Sequence, residues 1–275
     1  MKTYSISLAL LLVPFFSDAQ NAMQEEVKRI SAEGKQLYYT EMGTRVATPL
    51  FEAKYKGKEK AEGVVAYTVN DKVHCVYYSG GEKARALATL DFDTLFTAEK
   101  VIENFTPGDL TEVEKNLIQI RTKAKQLANT DAQLRKADGC RFLFIPVQYQ
   151  NKYWVYLIPE SETDGRVVFG NDFLLEFDQK GNFKEKKSLH PNTIILKYGK
   201  EADPGQDPNG GTHVHYPETG DLITATDCCI LMLNSKKAGW KQHSVISQNY
   251  ISFFNCQNNE FIAIPKSGDG SDFKK

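Results

Sequence analysis

Hydrophobic and polar residues follow different periods in different parts of the chain. Residues 22–56 are charged and weakly amphipathic, which predicts a helix that Pro49 interrupts. Residues 64–77 then alternate between apolar and polar side chains on either side of an Asn-Asp pair, which predicts a β-hairpin. Residues 83–94 favour one further strand.

The clearest helix of the sequence lies within residues 106–131. Thr111 and Glu114 have the spacing of a capping box, so the helix is expected to begin beside them. One stripe of apolar side chains follows at helical spacing: Leu110, Val113, Leu117, Ile120 and Ala124.

After Asp131 the pattern becomes that of strands. Residues 140–160 and 171–197 each predict a hairpin with a polar turn, and residues 198–211 form a polar loop rich in Gly, Pro and Asp. A helix is expected from Ala225 to about Asn234. Three strand-like segments end the chain: 243–247, 250–256 and 260–265.

These elements predict an α+β protein. N-terminal helices with a β-hairpin come first, and a C-terminal mixed β-sheet domain follows, with a helix after the strand that carries two histidines. The change of pattern places a boundary between residues 20–135 and residues 136–275, although both parts could share one core. The role of the first part stays open.

The first nineteen residues have the pattern of a secretory signal peptide. Lys2 precedes an apolar run over residues 6–16, and the small residues Ser17 and Ala19 flank Asp18 at cleavage spacing. No later run is long and apolar enough to span a membrane. The mature chain is therefore expected to be secreted or periplasmic.

Composition narrows the function classes further. The net charge of −1 over 275 residues gives no field that would attract nucleic acid, and no nucleic-acid motif is present. The five cysteines include no C-x-x-C pair, which excludes a four-cysteine zinc site. Of the adjacent pair Cys228 and Cys229, at most one is expected to face the core, because neighbours on a helix point to different sides.

The segment from His213 to Asp227 carries the candidate chemistry. On a strand His213 and His215 point to the same side, with Cα atoms roughly 6.6 Å apart, so both rings can reach one ion. Thr224 and Asp227 form a T-x-x-D capping box, and the turn residues before it can return the carboxylate to the histidines. His213, His215 and Asp227 are therefore candidate zinc ligands, with a fourth position left for water.

Ordinary structural roles explain the same residues without a metal. An H-x-H pair occurs by chance in polar loops, and the helix start alone accounts for an acidic residue at position 227. The remaining histidines are expected to be structural: His74 within a hairpin, His190 before a proline at a strand end, and His243 at the start of a strand.

The run HVHYPETGDLITATD resembles the signature of JAMM (JAB/MPN) metalloproteases over roughly residues 140–265. The resemblance implies a JAB/MPN-like fold and zinc held by His213, His215 and Asp227. It places Thr224 where the family has a serine that stabilises an oxyanion. It also implies a glutamate general base on an earlier strand. Glu176 is the first candidate for this base, and Glu160, Glu162 and Glu218 are alternatives.

This sequence departs from the family pattern at three points. The proline stands one residue later, the segment between the first histidine and the aspartate is one residue longer, and Thr224 replaces serine. A (β/α)₈ amidohydrolase is excluded, because only 60 residues follow His215. A cupin that used Glu218 and His243 is a weaker alternative, since a helix start lies between them.

The first hypothesis is therefore an exported zinc-dependent hydrolase of amide or isopeptide bonds, acting on a peptide or protein. The alternative is a non-catalytic exported binding protein that retains the JAB/MPN-like fold. A structural protein with surface histidines is the third hypothesis.

Overall fold

The computed structural model describes residues 13–149 and 152–266. Within these ranges the chain is a mixed α+β protein with three α-helices and three four-stranded, mostly antiparallel sheets. Residues 1–12 of the predicted signal peptide lie outside the described residues. No helix in the described part is long and apolar enough to cross a membrane.

The first sheet follows a long N-terminal helix, as the sequence predicts. Its strands are antiparallel and adjacent in chain order. The turn between the first two strands places Asn70 and Asp71 at φ 50° and 57°, which Asn and Asp tolerate better than most residues. The elements are α1 (Val13–Lys54), β1 (Ala61–Val69), β2 (Lys72–Ser79), β3 (Ala86–Asp93) and β4 (Ile102–Asn104).

The interruption expected at Pro49 does not occur. Helix α1 continues through the proline to Lys54. Ala47 and Phe51, on either side of the proline, are buried in the apolar cluster beneath the first sheet. This burial offsets the hydrogen bond that the proline nitrogen cannot make.

The second sheet is an antiparallel meander preceded by α2. The helix begins with the expected capping box of Thr111 and Glu114. The turn predicted between β5 and β6 includes residues 150–151, which lie outside the described residues. The elements are α2 (Glu112–Thr130), β5 (Cys140–Tyr149), β6 (Lys152–Ser161), β7 (Arg166–Phe177) and β8 (Phe183–Lys197).

The third sheet has the order β12-β11-β10-β9. Strand β9 pairs parallel with β10, so α3 is the crossover between them, and the other pairs are antiparallel. The elements are β9 (Gly210–Val214), α3 (Ala225–Ala238), β10 (Gln242–Ile246), β11 (Tyr250–Asn255) and β12 (Glu260–Pro265).

Helix α3 lies within the core between the two predicted parts of the chain. One apolar cluster joins Ile30 and Leu37 of α1 to residues of α3 and of the second and third sheets. Cys228 and Cys229 are both buried, at 1% and 0% exposure, so the expectation that only one faces the core was wrong. The reason is that α3 is covered by α1 as well as by the sheets.

Candidate metal centre

The two histidines of the H-x-H segment lie at the end of β9. His213 is within the strand opposite Val245 of β10, and the His215 amide donates to the Ile246 carbonyl at 2.9 Å. Their exposed fractions are 3% and 4%. The Nε2 atoms of the two rings are 3.1 Å apart, so the rings converge as the alternation of a strand predicts.

Asp227 reaches both rings from the first turn of α3. Its amide donates to Thr224 Oγ1 at 3.2 Å, and its Oδ2 accepts from the Thr224 amide at 3.0 Å, so the expected capping box is present. The same Oδ2 lies 3.1 Å from His215 Nε2. Oδ1 lies 3.7 Å from His213 Nε2 and has no hydrogen-bond partner among the residues that the structure describes. The carboxylate therefore caps the helix and faces the histidines at once.

His190 joins this group, although the sequence analysis assigned it a structural role at a strand end. It lies inside β8, which runs on to Lys197, and its side chain is buried. His190 Nε2 is 3.2 Å from His215 Nε2 and 3.5 Å from Asp227 Oδ2. His190, His215 and Asp227 thus form a buried cluster whose ligand atoms all lie within 4.8 Å of one another and could hold a metal ion.

These separations agree with those between ligands that share one ion. Zn–N bonds of about 2.0–2.1 Å in a tetrahedron put ligand atoms about 3.3–3.4 Å apart. The measured separations around His215 and Asp227 range from 3.1 Å to 3.7 Å. The donor atoms are therefore spaced as ligands of a small cation would be.

Protons alone do not satisfy His215 Nε2. This nitrogen carries either one hydrogen or one lone pair. Three neighbours stand within 3.2 Å of it: the Nε2 atoms of His190 and His213, and Asp227 Oδ2. A single hydrogen bond serves only one of them, whereas a cation among them would satisfy every lone pair.

The charges of the cluster also favour a cation. Asp172 and Asp227 are both 0% exposed, and the described part of the chain offers them no ion pair with Lys or Arg. Burial lowers the pKa of His190, but the charges of Asp227 and Asp172 outweigh it and raise that pKa to about 11. One imidazolium between two buried carboxylates leaves a negative charge that a metal ion would neutralise.

The rings of His213 and His243 are neutral. Burial lowers the pKa of His213 to about 4, although the charge of Asp227 opposes this. Burial, together with the His213 ring, lowers the pKa of His243 to about 3. Burial would raise the pKa of Asp227, yet the charges of His190 and His213 hold it well below its ordinary value. Neutral imidazoles and an ionised carboxylate are the forms that bind metals.

A second layer of groups orients the rings. Asp172 Oδ1 lies 2.7 Å from His190 Nδ1, and His243 Nε2 lies 2.8 Å from His213 Nδ1. When the outer ring nitrogens donate these hydrogen bonds, the inner Nε2 lone pairs are free for an ion. Sequence reasoning missed His190, Asp172 and His243, and the spacing of these residues carries no signal.

The two predicted catalytic residues lie apart from the rings, in an adjacent cleft of ≈ 480 Å³. Glu176 and Thr224 both line it, together with Trp154, Lys187 and Thr226. Glu176 is ion-paired with Lys187 at 2.8 Å. Thr224 Oγ1 donates to Asp227 Oδ2 at 2.8 Å.

The alternative carboxylates do not join the cluster. Glu160 is ion-paired with Arg45 and Arg141, and Glu218 is exposed. His74, the remaining histidine, contacts Asp91 and Glu114 between the first sheet and α2. It lies within the first hairpin, as expected.

No family model, curated protein or solved structure matches this chain. Fold and site together define a mixed α+β protein with a buried histidine-aspartate cluster that could hold a metal ion.

Proposed function

We propose that this protein binds zinc at the cluster and hydrolyses amide or isopeptide bonds of peptides held in the adjacent cleft. The observation that carries the proposal is that Asp227 faces both rings of the H-x-H pair. The two Nε2 atoms are 3.1 Å apart, Asp227 Oδ2 lies 3.1 Å from that of His215, and Asp227 Oδ1 lies 3.7 Å from that of His213. These are the three residues that the resemblance to JAMM metalloproteases selects from the sequence.

The donor set favours zinc over other common cations. Imidazole nitrogens with one carboxylate suit zinc and related transition metals, whereas calcium and magnesium prefer oxygen ligands. The separations also fit a tetrahedral ion.

The proposed reaction distributes roles among residues of the cleft. Zinc, when bound, supplies a Lewis acid that lowers the pKa of water toward about 7. Glu176 accepts a proton and returns it to the leaving amine, and the Thr224 hydroxyl donates to the developing oxyanion. The JAB/MPN-like fold and the export of the protein after signal-peptide removal belong to the same proposal.

A non-catalytic zinc protein is the second candidate, and three observations favour it. Glu176 is ion-paired with Lys187, and the Thr224 hydroxyl is engaged in capping α3. The histidines of the cluster are at most 6% exposed.

Metal analysis and peptide cleavage separate these candidates. Purified protein is expected to contain near-stoichiometric zinc, which His213→Ala and Asp227→Asn lose. Glu176→Gln is expected to keep zinc and to lose cleavage of a fluorogenic peptide library by about 10²-fold or more. Glu185→Gln is the matched control, because Glu185 contacts the same Lys187 at 3.0 Å.

Zinc without cleavage by the wild-type chain would support the second candidate. Absence of zinc and of other transition metals from the wild type would contradict both.

A further inference from the structure

His190 Nε2 stands as close to His215 and Asp227 as the predicted ligands stand to one another. Its Nε2 is 3.2 Å from His215 Nε2, and the corresponding separation for His213 is 3.1 Å. A general base acts on a water that lies between itself and the ion, so it stands farther away than a ligand does. The spacing of His190 is that of a ligand.

Asp172 holds His190 in this position. Asp172 Oδ1 is 2.7 Å from His190 Nδ1, both side chains are buried, and Asp172 is 0% exposed. A carboxylate on the outer nitrogen of a ligating histidine fixes the tautomer and the orientation of the ring. Among the described residues Asp172 Oδ2 has no hydrogen-bond partner. The carboxylate therefore interacts with the His190 ring through Oδ1.

A β-bulge between β7 and β8, with the extra residue on β8, creates this pairing. The register in which Gly170 faces Thr193 would, if continued, place Asp172 opposite Pro191, but the bulge places it opposite His190. Gly170 and Asn171 adopt φ of 74° and 53° there, and a Cβ at Gly170 would lie 1.9 Å from the Asn192 carbonyl oxygen. The positive φ and the close carbonyl oxygen therefore require glycine at position 170.

We propose that His190 is a further protein ligand of the zinc ion, beside His213, His215 and Asp227, and that Asp172 is its positioning residue. The inference rests on the zinc binding proposed above. His190 is a ligand that the H-x-H and T-x-x-D pattern does not contain. Through the ion it would link β8 of the second sheet to β9 and α3.

X-ray absorption spectroscopy of the zinc-loaded full chain tests the ligand count. We expect three imidazoles in the wild type and two in His190→Ala. Two imidazoles in the wild type would overturn the inference and leave zinc binding intact. A wild type that binds no zinc would instead refute the proposed function itself.

Chelator competition tests the positioning role. Asp172→Asn is expected to bind zinc 10–100-fold more weakly with an unchanged imidazole count. Asp91→Asn is the matched control, because it removes the carboxylate from the histidine-aspartate pair at His74. Equal zinc affinities for Asp172→Asn and the wild type would contradict the role of Asp172. If His190→Ala does not fold, the number of imidazole ligands in the wild type and the zinc affinity of Asp172→Asn still test the proposal.

Discussion

His213 and His243 form a buried hydrogen bond of 2.8 Å between Nδ1 and Nε2. Since a ligating His213 carries its hydrogen on Nδ1, His243 serves as the acceptor that keeps the His213 ring oriented. We predict that His243→Leu, which fills similar space without an acceptor, weakens zinc binding 10–100-fold in a chelator competition.

Phe169→Leu is the control for this prediction. Phe169 packs on the same His213 ring at 4.7 Å between centroids but makes no hydrogen bond to it. The zinc affinity of Phe169→Leu should differ little from that of the wild type. If both variants lose affinity equally, packing rather than the hydrogen bond orients His213.

Zinc should raise the stability of the folded chain, because its ligands lie on β8, β9 and α3. At a free zinc concentration 100 times the dissociation constant, binding to the native state alone adds about 2.7 kcal/mol to the free energy of unfolding. Thermal melting with zinc and with a chelator measures this effect. Asp227→Asn, which can still cap α3, should show no response to zinc, and a response equal to that of the wild type would place the ion elsewhere.

Helices α1 and α3 are in close contact at Gly34. A Cβ added there would lie 2.6 Å from Cys228 Cβ and 3.1 Å from the Ala225 carbonyl oxygen, neither of which can rotate away. We expect Gly34→Ala to reduce the free energy of unfolding by about 1–3 kcal/mol despite the better helix propensity of alanine. Urea denaturation checks this, and unchanged or increased stability would show that the helices separate without cost.

The contacts of His74 predict a pH dependence that does not involve the metal centre. Its Nδ1 is 2.5 Å from Asp91 Oδ1 on β3, its Nε2 is 3.5 Å from Glu114 Oε1 on α2, and Tyr67 of β1 also contacts Glu114. Burial lowers the pKa of His74, but the hydrogen bonds to Glu114 and Asp91 outweigh it and raise that pKa above its ordinary value.

A raised pKa in the folded state stabilises the fold below the unfolded pKa of about 6.5, and this contribution disappears as the pH rises through the folded value. We therefore expect His74→Gln to cost most stability between about pH 5 and 6.5 and progressively less at alkaline pH. Urea denaturation of the wild type and of His74→Gln, from about pH 5 to alkaline pH and with a chelator present, measures the difference in their free energies of unfolding. A difference that does not vary with pH would mean that His74 acts through packing alone.

Local patterns predicted most elements of this fold. The turn at Asn70 and Asp71 and the two capping boxes, Thr111 with Glu114 and Thr224 with Asp227, depend on residues a few positions apart, so their chemistry is visible in the sequence. The convergence of His213 and His215 follows from the alternation of a strand.

The rest of the site depends on relationships that no short pattern contains. Asp172 meets His190 because a bulge shifts the register of a hairpin, and His190 meets His215 because two different sheets lie side by side. The burial of both Cys228 and Cys229 likewise depends on α1, which comes almost two hundred residues earlier.

The dual use of Asp227 ties the metal centre to the order in which the chain is completed. Its carboxylate reaches this place only after the first turn of α3 has formed. The rings that it faces come from the second and the third sheet. An ion held by the proposed centre could therefore be captured only after the chain has been made through α3, so metal content would report on how far each molecule has folded.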